Sequence, residues 1–386
     1  MKSARQASAF VLSSILLMGC ANDPYYKPAS TVGIATKDVV ASHTAMVTGE
    51  KADQTRLSRA QEKAGGYNFV TSVGCDSLQV LDTSGCGYEG RLASPGPTVR
   101  SRQAVELRRR EEQAVAAQTS PIATSIASSG DPSFLPPAPD ACLKTENAIR
   151  VERVGAAAIL DAARHPEKQV AGKPPITEAE ILHRLSSYAD GLIAITDTSD
   201  RVAFEAATNK LAASAGALAT TVGTLAGGVG GIAIGPVIVA AVKLGAFATE
   251  RGYASARHEA LRETMLETCL PFRKLAAAEG LLLQARKESR IGINREVTSL
   301  VGLARLKPGA DRSGLFALGI EATDAINSMR ESPLATARAM IEAHDNLAVA
   351  VIENKGQAGI IEAAFTQFLE RAGDFRSAVS SGPAAK

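Results

Sequence analysis

From about residue 141 onward, this chain places an apolar side chain at nearly every third or fourth position. Such spacing puts the apolar side chains on one face of a helix, where a partner helix must cover them. Aromatic residues make up only 4% of the chain, and the alternation expected of a β-sandwich is missing. The sequence therefore predicts a mainly all-α protein. The clearest apolar seam consists of Leu185, Tyr188, Leu192, Ile195 and Val202.

The predicted helices are set by their start and stop signals. Thr177 and Glu180 form a capping box after two prolines, and Pro271 predicts a bend in a later helix. Because the connections between the last helices are short, neighbouring helices should be antiparallel. We expect a long antiparallel helical hairpin within a bundle. The predicted helices span residues 37–63, 143–160, 177–225, 236–290, 313–330, 333–354 and 358–379.

The centre of this region carries no ionisable side chain from Leu211 to Val242. Within it, glycine recurs every fourth residue, which lines one helical face and lets another backbone approach closely. This interval resembles a glycine zipper and marks a predicted packing surface at a hairpin tip. The four glycines are Gly223, Gly227, Gly231 and Gly235.

Three interpretations of the 211–242 stretch remain open. It is long enough for one membrane-spanning helix, although that would separate Cys142 from Cys269 across a membrane. It could instead be a hairpin whose apolar tip enters a bilayer or a partner. In the third interpretation, the tip is buried within the bundle. The hairpin layout looks like that of α-helical pore-forming toxins, which gives an alternative function as a membrane-perturbing protein.

The first twenty residues have the layout of a secretory leader. Lys2 and Arg5 precede a short apolar run, which ends in Leu17-Met18-Gly19-Cys20. This junction resembles the lipobox of a bacterial lipoprotein precursor. The resemblance implies a signal peptide over 1–19, with cleavage before Cys20 and acylation of Cys20 by diacylglycerol and a fatty acid such as palmitate. Multiple acyl chains hold a protein on a membrane. Ala21, by resemblance to enterobacterial lipoproteins, implies the outer membrane, with the body in the periplasm.

Four further cysteines in an exported chain predict two disulfides. Short loops close at lower entropic cost, which favours Cys75 with Cys86 and leaves Cys142 with Cys269. The chain has no Cys-x-x-Cys, so a zinc or redox role has little support.

The remaining predictions concern domain organisation. We expect an acylated tether over 20–36, a small N-terminal region over 37–118 with a disulfide-stapled β-hairpin, and a proline- and serine-rich linker over 119–140. The helical bundle then occupies 141–386. The hairpin strands would be Tyr67–Val73 and Leu78–Asp82.

No catalytic or cofactor motif is recognisable. His258-Glu259 begins like a zinc-protease motif, but Arg262 stands where the second histidine should be. His183 and His344 are expected at the bundle rim rather than as metal ligands. Residues 228–233 fit a loose dinucleotide pattern without the strand that it needs. We expect no cofactor and no enzyme activity, with a cell-wall hydrolase as a minor alternative.

A formal net charge of +2 gives no large field for recruiting nucleic acid. The sequence therefore predicts a cell-envelope lipoprotein with a structural, scaffolding or partner-binding role. Its expected contacts are the membrane, through the acyl chains, and an envelope partner or a second copy, through the glycine-rich hairpin.

Overall fold

The computed structural model of the protein describes residues 25–64, 68–69, 92–93, 134–145, 148, 151–152, 154–165, 176–198, 201–226, 250–304, 310–353 and 358–380. Within these residues the protein is a helical bundle, so the predicted all-α class is confirmed. The α-helices are α1 (Tyr26–Lys63), α2 (Ala156–Arg164), α3 (Glu178–Thr196), α4 (Arg201–Ala226), α5 (Glu250–Ala304), α6 (Arg312–Ser328), α7 (Pro333–Glu353) and α8 (Ala358–Ser380).

The longest helix, α5, runs through the middle of the bundle and contacts α1, α2, α3, α4, α6 and α7. Helices α6 and α7 return antiparallel along it. Gly319 of α6 packs on Val301, and Ala337 of α7 packs on Gly280. Pro271 lies inside α5 and does not end the helix. The antiparallel packing of long helices that the fold class predicts is therefore present. The two predicted arms, 177–225 and 236–290, are antiparallel where α3 lies against α5, with Glu178 beside Arg286 and Tyr188 beside Thr268.

Helices α3 and α4 form a second antiparallel pair. Thr177 accepts a hydrogen bond from the Glu180 amide (3.1 Å) and caps α3, as the capping pattern predicts. A Cβ on Gly191 would lie 2.8 Å from the Leu211 Cα, so this glycine permits close approach of α4. The single predicted helix over 177–225 is wrong, because α3 ends at Thr196 and α4 begins at Arg201.

The uncharged stretch is described only as far as Ala226. Leu211, Leu218 and Val222 have no exposed surface, and Gly223 is buried, so this half belongs to the core. The rest of the predicted tip, with Gly227, Gly231 and Gly235, lies outside the described residues. In the parts of the chain that the structure covers, no helix is long and apolar enough to cross a membrane.

The N-terminal predictions need correction. Helix α1 begins at Tyr26, so the predicted tether over 20–36 is wrong for its second half. Ala29 and Val32 are fully buried, and α1 packs on α3, α5 and α8, so α1 is part of the bundle rather than of a separate N-terminal region. The prediction failed because alanine, threonine and glycine on this stretch resemble a polar spacer.

Three smaller differences concern the predicted hairpin, the predicted linker and the first predicted helix after the linker. Asn68–Phe69 (β1) pairs antiparallel with Leu92–Ala93 (β2), whereas the predicted partner strand, Leu78–Asp82, lies outside the described residues. At the end of the predicted linker, Phe134 and Leu135 are partly buried against the core. The predicted helix over 143–160 is interrupted: a 3-10 turn (Asp140–Leu143) comes first, Ala148, Val151 and Glu152 are helical, and α2 starts only after Gly155.

Cys142 in the 3-10 turn and Cys269 in α5 form a buried disulfide. It joins residues 127 apart in sequence, and this is the pairing that the loop argument leaves for these two cysteines. Cys75, Cys86 and Cys20 lie outside the described residues.

Replacing both Cys142 and Cys269 with alanine should lower the free energy of unfolding by about 2–5 kcal/mol, since a long closed loop is released in the unfolded chain. Urea unfolding followed by circular dichroism measures the change. The matched control is Cys75→Ala with Cys86→Ala, which leaves the buried bridge in place. Equal stability of the bridge-free variant and the wild type would contradict the prediction.

Candidate functional site

Helices α1 and α5 lie side by side and run parallel, with a nearly constant register. The side-chain pairs across their contact are separated by 236 residues (His43 and Glu279), 237 (Asp53 and Arg290) and 238 (Arg56 and Asn294). Just before α1, the Tyr25 ring lies 5.2 Å from the His258 ring, a pair 233 residues apart that keeps the parallel direction. We call the polar side chains along this contact the charged seam. They are His43, Glu50, Asp53 and Arg56 of α1, Glu279, Arg286, Arg290 and Asn294 of α5, and Glu178 of α3.

The α1 side of the contact follows strict three-four spacing. Its positions are Ala29, Val32, Thr36, Val39, His43, Met46, Glu50, Asp53, Leu57, Ala60 and Ala64. All are buried except Glu50 and Leu57, which are partly exposed. This is the seam of a parallel coiled coil, in which charged residues replace apolar ones at the middle.

The part of the charged seam nearer the start of α1 is centred on His43. Its Nδ1 lies 2.7 Å from Glu279 of α5, and its Nε2 contacts Glu178 at the start of α3. Burial alone would lower the pKa of His43, but the hydrogen bonds to both carboxylates raise it to about 9. His43 is therefore an imidazolium at neutral pH, and it links three helices at once.

The two carboxylates differ in environment. Burial would raise the pKa of Glu178, but hydrogen bonds from His43 and Arg286 lower it to about 2. Glu279 is fully buried, and this burial raises its pKa, with only part of the effect offset by His43. Its Oε2 has no hydrogen-bond partner within the described part of the protein.

Arg286 extends the charged seam along α5. It donates from Nε and Nη2 to the two oxygens of Glu178 (2.7 and 2.6 Å), and from Nη1 to Glu50 (2.7 Å). Ser289 donates to the other oxygen of Glu50 (2.8 Å). Such a bidentate arrangement fixes direction as well as distance.

The part of the charged seam nearer the end of α1 is centred on Asp53, whose side chain is 1% exposed. Arg290 donates to one oxygen (2.7 Å), and Arg56 donates to the other (2.5 Å) and to Asn294 (2.7 Å). A Cβ on Gly49 would lie 2.6 Å from Nη1 of Arg290, so a larger residue here would displace this guanidinium.

The charged seam is suited to holding helices together. The cations His43, Arg286, Arg290 and Arg56 meet the acids Glu178, Glu279, Glu50 and Asp53 inside the bundle. A buried ion pair gains little net stability over apolar packing, but it strongly disfavours arrangements that leave a charge unpaired. The charged seam therefore selects one register of α1 on α5.

A second polar cluster surrounds His344 of α7. The Tyr188 hydroxyl lies 2.9 Å from His344 Nε2 and 3.0 Å from Thr268. Burial and the nearby Arg273 charge lower the pKa of His344 to about 3, so this ring is neutral. Burial raises the pKa of Tyr188. The cluster is a buried core network in which His344 Nδ1 has no hydrogen-bond partner among the described residues. The expectation of His344 at the bundle rim is wrong because the ring is fully buried.

The disulfide lies beside this cluster. Asp345 pairs with Arg273, and its Oδ1 lies 3.8 Å from Cys269 Sγ. Cys142, Cys269 and Asp345 are close enough together to hold a metal ion. The two sulfurs are joined to each other, however, and a disulfide does not offer the thiolate that a metal needs.

Sequence reasoning missed the charged seam. His183, which is expected at the bundle rim, is exposed on α3, whereas the sequence pattern assigns no role to His43. The available signal was the three-four spacing of α1, continued through His43 and Asp53 by residues that are not apolar. Their partners on α5 are more than 200 residues away, which one sequence does not disclose.

The titration of His43 makes stability depend on pH. A histidine with a pKa of about 9 in the folded protein and about 6.5 in the unfolded chain stabilises the fold below pH 6.5. That stability is lost as the pH rises from 6.5 through 9, and its size is about 3 kcal/mol. Urea unfolding at several pH values should show this fall.

The fall should vanish in His43→Gln, which keeps hydrogen-bonding atoms but does not titrate. His183→Gln removes an exposed histidine and should leave the fall unchanged. A wild-type unfolding free energy that stays flat between pH 6.5 and 9 would rule out the imidazolium.

The substitution Asp53→Asn should lower the free energy of unfolding by about 3–5 kcal/mol, because Arg290 is left as a buried cation without a carboxylate and Arg56 keeps only the half-exposed Glu321. The matched control on the same helix is Asp38→Asn. Asp38 pairs with the exposed Arg376, and this change should cost no more than about 1 kcal/mol. Similar losses for the two variants would argue against a special role for Asp53.

Comparison with known proteins gives no identification. No protein-family model, no curated protein and no solved structure matches this chain.

Proposed function

We propose that this protein is a lipid-anchored protein of the bacterial cell envelope, with its body in the periplasm and a structural or scaffolding role. Cys20 would carry the acyl chains, and the helical bundle would perform the structural or scaffolding role. The alternative with a membrane-entering tip gains no support from residues 211–223, whose buried face is packed in the core.

The observation that carries the proposal is the position of α1. It begins at Tyr26, six residues after Cys20, and six residues of chain span no more than about 20 Å. The bundle would therefore be held next to the membrane. Because α1 is tied into α3, α5 and α8, a force on the anchor would act on the whole bundle.

The shape of α1 supports a spacer role. Its 38 residues correspond to about 57 Å at 1.5 Å per residue. The charged seam keeps this helix in one register on α5. A rigid rod of this length could hold a surface at a fixed distance from a membrane.

The buried disulfide supports an exported location. Cys142 and Cys269 are both within the core, and disulfides persist in oxidising compartments such as the periplasm. The lipobox-like junction and the disulfide are independent features of the chain, and both favour the same compartment.

The serine variant of Cys20 tests the anchor. Cys20→Ser should abolish labelling with radioactive palmitate and should move the protein from the membrane fraction to the soluble fraction. Cys75→Ser is the control and should keep both the label and the membrane location. Membrane association of the Cys20→Ser variant at the wild-type level would refute the lipid anchor.

A further inference from the structure

The end of the bundle where α1 finishes carries an exposed apolar surface on α6. Phe316 is 56% exposed and Ile320 is 50% exposed, and they stand one turn apart. The other phenylalanines of the helices whose burial is described are buried. They are Phe204, Phe272, Phe365, Phe368 and Phe375. Among these helical phenylalanines, Phe316 is therefore the exception.

A groove of about 280 Å³ lies beside these two side chains. It is formed where α6 packs on the end of α5, with Gly319 against Val301. Its lining residues are Thr298, Val301, Phe316, Gly319, Ile320, Thr323 and Asp324. The same surface therefore has a projecting aromatic ring and a recess next to it, and a C2 interface requires this kind of self-complementarity.

The charges on α6 complete the pattern. Arg312, Phe316, Ile320 and Asp324 follow each other at intervals of four, so they form one ridge of the helix. All four are exposed, and among the described residues neither Arg312 nor Asp324 has an ion-pair partner. Along the helix the ridge presents a cation, two apolar side chains and an anion. It is therefore complementary to a second copy of the same ridge that runs in the opposite direction.

We propose that this ridge, the α6 ridge, binds a second copy of the same chain in an antiparallel arrangement. A two-fold axis near residue 318 places each Phe316 on Ile320 of the second copy. The same axis places each Arg312 on Asp324 of the second copy. A parallel arrangement would oppose Arg312 to Arg312 and Asp324 to Asp324, so the charges select the antiparallel one. Ridges spaced by four residues on both helices pack at about −50°.

The dimer has a consequence that rests on the proposed lipid anchor. Helix α6 runs antiparallel to α1, since Lys63 pairs with Asp311 and Arg56 with Glu321. An antiparallel pair of α6 helices therefore puts the starts of the two α1 helices at opposite ends. Two helices of about 57 Å that overlap by about 25 Å separate the anchored ends by up to roughly 90 Å. Such a dimer would bridge two facing lipid surfaces.

A charge-reversal series tests the α6 ridge. Arg312→Asp opposes two carboxylates across the interface, and Asp324→Arg opposes two guanidinium groups. Each single variant should raise the dimer dissociation constant at least tenfold, and the double variant should restore it to within about threefold of the wild type. In one chain the two positions are 12 residues, about 18 Å, apart, so restoration cannot come from an internal pair.

The measurement is the mass of the full chain by light scattering in a fixed detergent, from 1 to 100 µM. Ile320→Asp should be monomeric throughout this range. Val202→Asp changes a side chain that is 76% exposed on α4, and it should dimerise as the wild type does. Circular dichroism and the thermal midpoint confirm that each variant is folded.

A wild-type protein that stays monomeric at 100 µM would overturn the proposal, as would a double variant as weak as the single ones. Cys20→Ser should dimerise normally, because the α6 ridge is at the other end of α1. Loss of palmitate labelling without loss of dimerisation, or the reverse, therefore separates the lipid anchor from the dimer.

Discussion

Charge pairing inside the contact between α1 and α5 sets the register on which the rest of the bundle depends. Apolar side chains alone tolerate sliding by one heptad, since each step replaces one small residue by another. Asp53 and Arg290 do not tolerate it, because a shift would leave two buried charges without partners. Helices α3 and α8 pack on α1, so their positions follow from the same register.

This register has a consequence for assembly of the chain. The paired residues of α1 and α5 are about 236 positions apart, so α1 cannot dock before α5 has been synthesised. The disulfide adds a second distant link, across 127 residues. Contacts of such separation are costly in loop entropy, and they must form together to be stable. The helix nearest the predicted anchor therefore completes the core only after most of the bundle is available.

The sequence predicts the last three helices well and the N-terminal helix poorly, for physical reasons, and α5 continues to Ala304, past its predicted end at 290. Helices α6, α7 and α8 agree with their predicted bounds within two residues, because Asp311 caps α6 and Pro333 begins α7. Helix α1 was predicted to start at 37, since Ala29, Thr36 and neighbouring small residues give little apolar contrast. The break after Thr196 was missed because apolar spacing continues on both sides of it.

The candidate site shows the same division between local and distant information. The spacing of His43 and Asp53 on one helical face can be read from the sequence. Their role as buried ion-pair partners depends on Glu279 and Arg290, which the fold places beside them. A pattern argument treats a charge on a helix as solvent-facing. In this protein the charges at those positions face the core.

The composition explains why charges have this role. With 4% aromatic residues and no tryptophan, the core is built largely from alanine, leucine and valine. The helices therefore approach closely, and few large side chains interdigitate between them. Specificity must then come from groups with directional partners, which the charged seam and the disulfide supply. The same reasoning bears on α6. In a chain that uses aromatic side chains so sparingly, an exposed Phe316 between two unpaired charges is better explained by a surface that another α6 covers than by chance.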